Sequence, residues 1–222
     1  MIWFLVATLL CAPADEAMTV ALVEGTATAS GAPLAVGTVL NAGDTVETGP
    51  GGRIEIAVPG GALIRLGESS RLTLSAAQPR KQFSARLLLG NLWTRVHKLL
   101  AGETFEVETD NGVAGVRGTE FRLEVARGQP DLLRVYEGAV QVAARDGRWS
   151  HQVEPGNELR FLRDAEPPRA FDPAGEKGHP FMDWVRSRPT RDRLEPGRVR
   201  ERRNPEQEHR LRERLRERRR QR

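Results

Sequence analysis

The chain has 222 residues, room for one sizeable domain with appendages, and its 22 Gly, 14 Pro and 5% aromatics argue against a helical bundle. Its formal charge of +4 is uneven: residues 183–222 hold sixteen Arg against eight acidic residues, a net of +8, which leaves an acidic body of −4. The single cysteine, Cys11, lies in an apolar leader, so the rest of the chain has no disulfide, no cysteine redox chemistry and no cysteine-ligated zinc.

Residues 2–11 read IWFLVATLLC, an uncharged apolar run followed by Ala12-Pro13-Ala14, whose small residues at alternate positions fit signal peptidase. The run is shorter than the roughly 20 apolar residues a membrane span needs. Residues 1–14 are therefore predicted to be a cleavable signal peptide, and the protein to be periplasmic or secreted. No Lys or Arg opens the leader, which also reads as the end of a longer transmembrane helix.

Residues 20–162 repeat one device: four to seven alternating residues, then a turn with Gly, Pro, Asn or Asp, the pattern of half-buried strands. Ile54, Ile56 and Val58 share a face, Pro59-Gly60-Gly61 reverses the chain, and Ala62, Ile64 and Leu66 return on the same side. The alternation continues through Phe83 to Leu89, Phe105 to Thr109, Phe121 to Val125 and Leu133 to Val142, and Asp146-Gly147 supplies a last hairpin turn. No period of 3.6 is sustained in the body, so crossover helices are not expected. The predicted fold is all-β, a single antiparallel β-sandwich or short β-solenoid.

After Leu162 the composition turns to Asp, Glu, Pro and Arg, and residues 163–203 read as a Pro/Arg-rich linker that Phe171, Phe181 and Trp184 are able to pin back onto the body. Residues 204–222 form a basic tail with a marginal helix, capped by Asn204 with Pro205 in its first turn and Gln207 three residues after the cap. Only Leu211 and Leu215 make an apolar stripe there. Arg210, Arg212, Arg214, Arg216, Arg218, Arg219 and Arg220 are its candidate contacts to an anionic lipid or polymer.

Catalytic and metal chemistry finds no foothold. His97, His151, His179 and His209 are scattered without ligand spacing, Ser69-Ser70 lacks a Gly-x-Ser-x-Gly frame, and no Gly-rich phosphate loop leads a strand into a helix. No catalytic residue, cofactor, metal, small-molecule substrate or specific nucleic acid is expected.

Three segments of the body stand in order: residues 40–49, LNAGDTVETG, with Gly52-Arg53-Ile54; Phe105-Glu106-Val107-Glu108-Thr109 with Gly115-Val116-Arg117-Gly118-Thr119-Glu120-Phe121; and Val135-Tyr136-Glu137-Gly138-Ala139-Val140. Together they resemble the FecR domain family of bacterial envelope signalling proteins. The residues that carry the resemblance are Gly43, Asp44, Thr48, Gly49, Arg53, Thr109, Arg117, Gly118, Thr119, Phe121, Glu137, Gly138 and Val140. Their first role is structural: turn material at Gly43 and Gly49, and a bulge or close approach at Gly118 that the Thr119 hydroxyl is expected to bridge.

In the family's best-known members, the resemblance implies, this domain lies outside the inner membrane behind a transmembrane helix and a cytoplasmic anti-sigma segment, and relays the state of an outer-membrane transporter. This chain departs from that pattern at both ends, so direct sigma-factor control is not expected. The expected function is an exported, non-enzymatic binding, scaffold or signal-relay module whose partner is an envelope protein or cell-wall polymer. The alternative is a transmembrane anti-sigma-type regulator whose cytoplasmic N-terminus is missing from this sequence, and a glycan-active enzyme is the remaining class.

Overall fold

A strand that alternates apolar and polar residues has one oily face, and that face is stable only against another. The computed structural model describes residues 17–78 and 82–188. The leader at 1–14 and the tail at 204–222, with its seven candidate arginines, lie outside the described residues.

The first strands are β1 (Met18–Glu24), β2 (Ala27–Ala29), β3 (Ala32–Pro33), β4 (Val39–Leu40), β5 (Thr45–Thr48), β6 (Arg53–Val58), β7 (Ala62–Leu66) and β8 (Arg71–Gln78). Then come β9 (Gln82–Val96), β10 (Thr104–Glu108), β11 (Gly112–Val116), β12 (Glu120–Val125) and β13 (Asp131–Glu137). The series ends with β14 (Val140–Ala144), β15 (Ser150–Val153), β16 (Asn157–Phe161), β17 (Arg169–Ala170), a 3-10 turn at Pro173–Glu176 and helix α1 (Pro180–Arg186).

Sheet one runs β4-β1-β6-β7-β9-β12-β13-β16-β17, and sheet two runs β3-β2-β5-β8-β9-β10-β11-β14-β15. The long strand β9 belongs to both: its first half pairs with β8 and β10, its second half with β7 and β12. Because β9 leaves sheet two midway, the loop at 97–103 brings the chain back beside its own start, and β10 pairs with β9 in parallel. The remaining strand pairs are antiparallel. The result is a sandwich with one solenoid-like coil, which unites the two architectures expected from the sequence.

Between the sheets lies the main core, with Ile54, Ile56, Ile64, Leu66, Phe121, Leu123 and Val135 from sheet one against Val46, Leu72, Leu74, Leu87, Val107 and Val142 from sheet two. Each fully buried aliphatic or aromatic side chain contributes roughly 1.5–3 kcal/mol, so a core of this size needs no covalent staple.

A second, smaller cluster lies outside sheet one, where Phe181, Met182, Trp184 and Val185 of α1 pack on Leu63 and Trp93. Residues 169–188 thus form a strap across that face rather than a detached tether. Seven residues are too few for a helix to persist by hydrogen bonding alone. The strap is held by packing, by Pro180 at the start of α1, and by the Asp172 carboxylate, which accepts from the Ala174 N–H at 2.8 Å. Phe171 adds an edge contact to Tyr136, ring centres 5.7 Å apart. No described helix is long and apolar enough to cross a membrane.

Candidate functional site

Strand register explains why the strap sits where it does. Leu22, Glu55, Arg65, Trp93, Arg122, Arg134, Glu158 and Arg169 stand opposite one another in turn, one row across eight strands on the outer face of sheet one. Apart from Leu22 and Trp93 these are polar residues at the alternate positions of their strands, and such positions ordinarily face water. Here Glu55 and Arg65 are 0% exposed and Arg122 is 1% exposed, because the strap covers them.

Charges taken out of water must be matched. Arg65 donates from Nε to Glu55 at 2.8 Å and from Nη1 to the Val185 carbonyl at 2.7 Å, with its guanidinium 4.9 Å from the Trp93 ring centre. Burial, then the nearby Arg188, lower its pKa to about 10. Further along the row, the neighbouring Arg122 and Arg134 each donate to one oxygen of Glu176 at 2.9 Å. The other Glu176 oxygen accepts from the Tyr136 hydroxyl at 2.7 Å. Glu176 comes from the strap, so the sheet supplies two cations and the strap supplies the carboxylate seated between them.

The same cluster holds His179, at the start of α1. Arg122 donates to its Nε2 at 2.8 Å, which fixes that nitrogen as the acceptor, while its buried Nδ1 has no partner among the described residues. Burial and then Arg122 lower the His179 pKa. Burial opposes ionisation of Glu176, but the Tyr136 hydroxyl and the two arginines outweigh it and hold the carboxyl below its ordinary value. Burial and the Glu176 hydrogen bond raise the Tyr136 phenol. At the far end the Trp184 indole donates to Glu24 at 2.7 Å, and Arg188 forms an ion pair with the same carboxylate.

The arginines of this cluster are matched by carboxylates and carbonyls, and among the described residues no three His, Cys, Asp or Glu side chains converge as metal ligands.

The motif residues lie elsewhere, at turns and in the core. The Asp44 carboxylate accepts from the Asn41 N–H at 2.8 Å beside Gly43, and the buried Thr48 hydroxyl donates to the Gly67 carbonyl at 2.6 Å. Thr109 Oγ1 accepts from the N–H groups of Asn111 and Gly112, each at 3.1 Å. Phe121 and Val140 are core residues, and Glu137 is an exposed partner of Arg95 at 3.4 Å. Gly118 and Gly138 meet: a Cβ on Gly138 would lie 2.3 Å from the Gly118 carbonyl oxygen. One expectation fails here. The Thr119 hydroxyl bridges nothing among the described residues, because the close approach of the two glycine segments is closed by backbone and leaves its Oγ1 buried without a partner. Arg53 contributes to the strap contact, 5.7 Å from the Trp184 ring centre, and Arg117 is exposed on sheet two.

Sequence reasoning missed the row itself. Arg65, Arg122 and Arg134 sit at positions that alternation assigns to solvent, and Glu176 lies in a stretch read as linker. The available signal was Phe181 and Trp184, apolar anchors in a polar segment.

Residues 44–141 match the family model described as FecR protein. Two crystal structures from Parabacteroides distasonis ATCC 8503, each of a chain assigned as an anti-sigma factor, at 1.65 and 2.50 Å, align with TM-scores of 0.53. Identity is 14% and 13%; the alignments cover 64% and 62% of this chain and 64% and 63% of those chains. The matched region is thus less than two thirds of their length, and at this identity the likeness is one of fold. No curated protein sequence matches significantly.

Proposed function

We propose that this chain, which carries a FecR domain over residues 44–141, is an exported, non-enzymatic signal-relay module of the bacterial cell envelope that works by exchanging contacts on sheet one. The observation that supports the reading is the row from Leu22 to Arg169, whose central Arg122 and Arg134, already paired with Glu124 and Glu158 of the sheet, share Glu176 of the strap between them. Buried ion pairs add little net stability, but removing one partner and leaving the other buried is costly. A strap held this way has two defined states, docked and released, and a partner offering a carboxylate and an apolar helix face takes the vacated seat in the second.

Three experiments test the reading. Cell fractionation with N-terminal sequencing should find the protein outside the cytoplasm and starting after residue 14; retention inside with an intact leader overturns export. Affinity capture from envelope fractions should recover different partner sets with the native chain and with Phe181→Ser, which loosens the strap; identical sets remove the strap from the relay. Release of sugar or peptide fragments from isolated cell wall by the purified protein would defeat the non-enzymatic reading.

A second reading, an anti-sigma-type regulator with further residues upstream, draws on the assignment given to the Parabacteroides distasonis chain. Translation-start mapping that finds an upstream in-frame helical segment supports it, and a start at Met1 removes it.

A further inference from the structure

Between the strap and sheet one lies a cavity of about 450 Å³, walled on one side by β7, β9, β12 and β13 and on the other by α1 and its flanking residues. The guanidinium groups of Arg65, Arg95, Arg186 and Arg188 face it against one carboxylate, that of Glu120. Glu55, Glu24 and Glu176, which pair with Arg65, Arg188 and Arg186, stand outside the lining. Arg186 reaches Glu176 only at 3.5 Å and Asp183 only at 3.8 Å, and the Arg188 Nε has no partner among the described residues.

Arg65 is buried, but Arg95, Arg186 and Arg188 keep 30%, 39% and 29% of their side chains exposed and stay within reach of a ligand. Burial and then Arg188 lower the Arg65 pKa, and Arg95 adds to this while Glu120 opposes it. The cations thus repel one another across the cavity, and an anion among them relieves that repulsion. Between the charges the wall is apolar, made by Trp93, Met182 and Val185. Tyr136 stands beside them with its hydroxyl committed to Glu176 at 2.7 Å.

We infer that this cavity binds a small organic anion, a carboxylate on an apolar ring body, and that the bound anion holds the strap docked. Guanidinium forks match a carboxylate, and the apolar wall takes the body that carries it. An apolar pocket with a few polar groups to fix orientation is the usual form of a small-molecule site, and the volume falls within the usual range. The cavity exists only while α1 is docked, which leaves no room on this face for a partner's helix and favours a small occupant. A ligand that touches sheet and strap at once binds the docked state alone and stabilises it by mass action. That effect rests on the two-state strap proposed above, whereas binding itself does not.

The test is equilibrium dialysis of the full chain against 2-naphthoate, with 2-naphthalenemethanol and acetate as comparison probes. 2-Naphthoate should bind with a Kd of about 0.1–1 mM, and the neutral alcohol and acetate about tenfold more weakly. Arg95→Gln and Arg186→Gln should each weaken 2-naphthoate by about tenfold, and Arg186→Lys should restore part of the loss. Bound 2-naphthoate should also slow hydrogen exchange at residues 173–188. Arg95→Gln, on the sheet, serves alone if Arg186→Gln loosens the strap. Absence of 2-naphthoate binding overturns the site, as does equal binding of the alcohol or of acetate. So does binding that both variants leave unchanged, which assigns the anion to the basic tail. Binding without protection of residues 173–188 overturns the effect on the strap. None of these results alters the partner sets that Phe181→Ser is to change, so the relay reading fails or stands separately.

Discussion

Arg65 donates a hydrogen bond of 2.7 Å to the carbonyl oxygen of Val185, a residue 120 positions further along the chain. The bond joins the middle of sheet one to the last turn of α1, where unsatisfied carbonyls concentrate negative charge and a cation is favoured. A longer bond of 3.3 Å to the Arg188 carbonyl extends the grip past the helix end. With Glu55 on its other side, this one guanidinium connects β6, β7 and the strap.

Substituting Arg65→Met should therefore cost about 3–5 kcal/mol, the usual result of removing one member of a buried ion pair, measured by urea unfolding. The double variant Glu55→Met/Arg65→Met should recover at least half of that loss, because the carboxylate is no longer buried beside a missing cation. A double variant as unstable as the single one would mean that the helix-end contacts, and not the Glu55 charge, carry the effect.

Acid should loosen the strap. His179 has a folded pKa below its ordinary 6.5 and Glu176 one below its ordinary 4.5. Both groups therefore bind fewer protons folded than unfolded, and their contribution is complete only above the unfolded values. It declines as pH falls below 6.5 for His179, with the Glu176 share following below 4.5. Protonation of His179 would place a cation against Arg122 with Arg134 close behind, and only Glu124 and Glu176 nearby oppose it. Hydrogen exchange at residues 173–188 should rise between about pH 7 and pH 5, and His179→Gln, which keeps an acceptor for Arg122, should remove that rise. Exchange unchanged over this range discounts the histidine.

Gly138 and Gly147 make a matched pair. Their φ angles are nearly equal, +72 and +73, but a Cβ on Gly138 meets the Gly118 carbonyl at 2.3 Å while one on Gly147 meets nothing within 4 Å. Gly147→Ala should cost only the left-handed backbone penalty, about 1 kcal/mol. Gly138→Ala adds a clash with backbone that cannot rotate away, and should cost about 3 kcal/mol. Thermal unfolding of the two variants compares them directly; equal losses would mean that the Gly118–Gly138 approach relaxes freely.

The strands were legible because burial writes itself into a period of two: Ile54, Ile56, Ala62 and Ile64 announce their face by alternation alone. The sharing of β9 between two sheets was not: its core-facing residues switch from odd positions (Phe83, Ala85, Leu87) to even ones (Leu92, Val96) across Gly90, but periodicity does not say which sheet a strand joins. The covered row was hidden for the opposite reason. A polar residue under a strap has the same pattern as one under water, and only the long-range partner distinguishes them. For Arg122 that partner is Glu176, 54 positions away.

Residues 204–222 carry eight Arg and four acidic residues, a net of +4, with two leucines as their apolar share. Such a segment gains little from folding on itself and much from a surface of opposite charge, where each cation near an anionic membrane is worth about 1 kcal/mol. Deleting it should leave the thermal unfolding midpoint in place, because the core and the strap end before it begins. Retention on anionic phospholipid vesicles should then be lost at low salt. The native chain should itself lose retention as salt approaches about 1 M, where the screening length shrinks to about 3 Å. Retention unchanged by the deletion would move the anionic contact from the tail to the body of the protein.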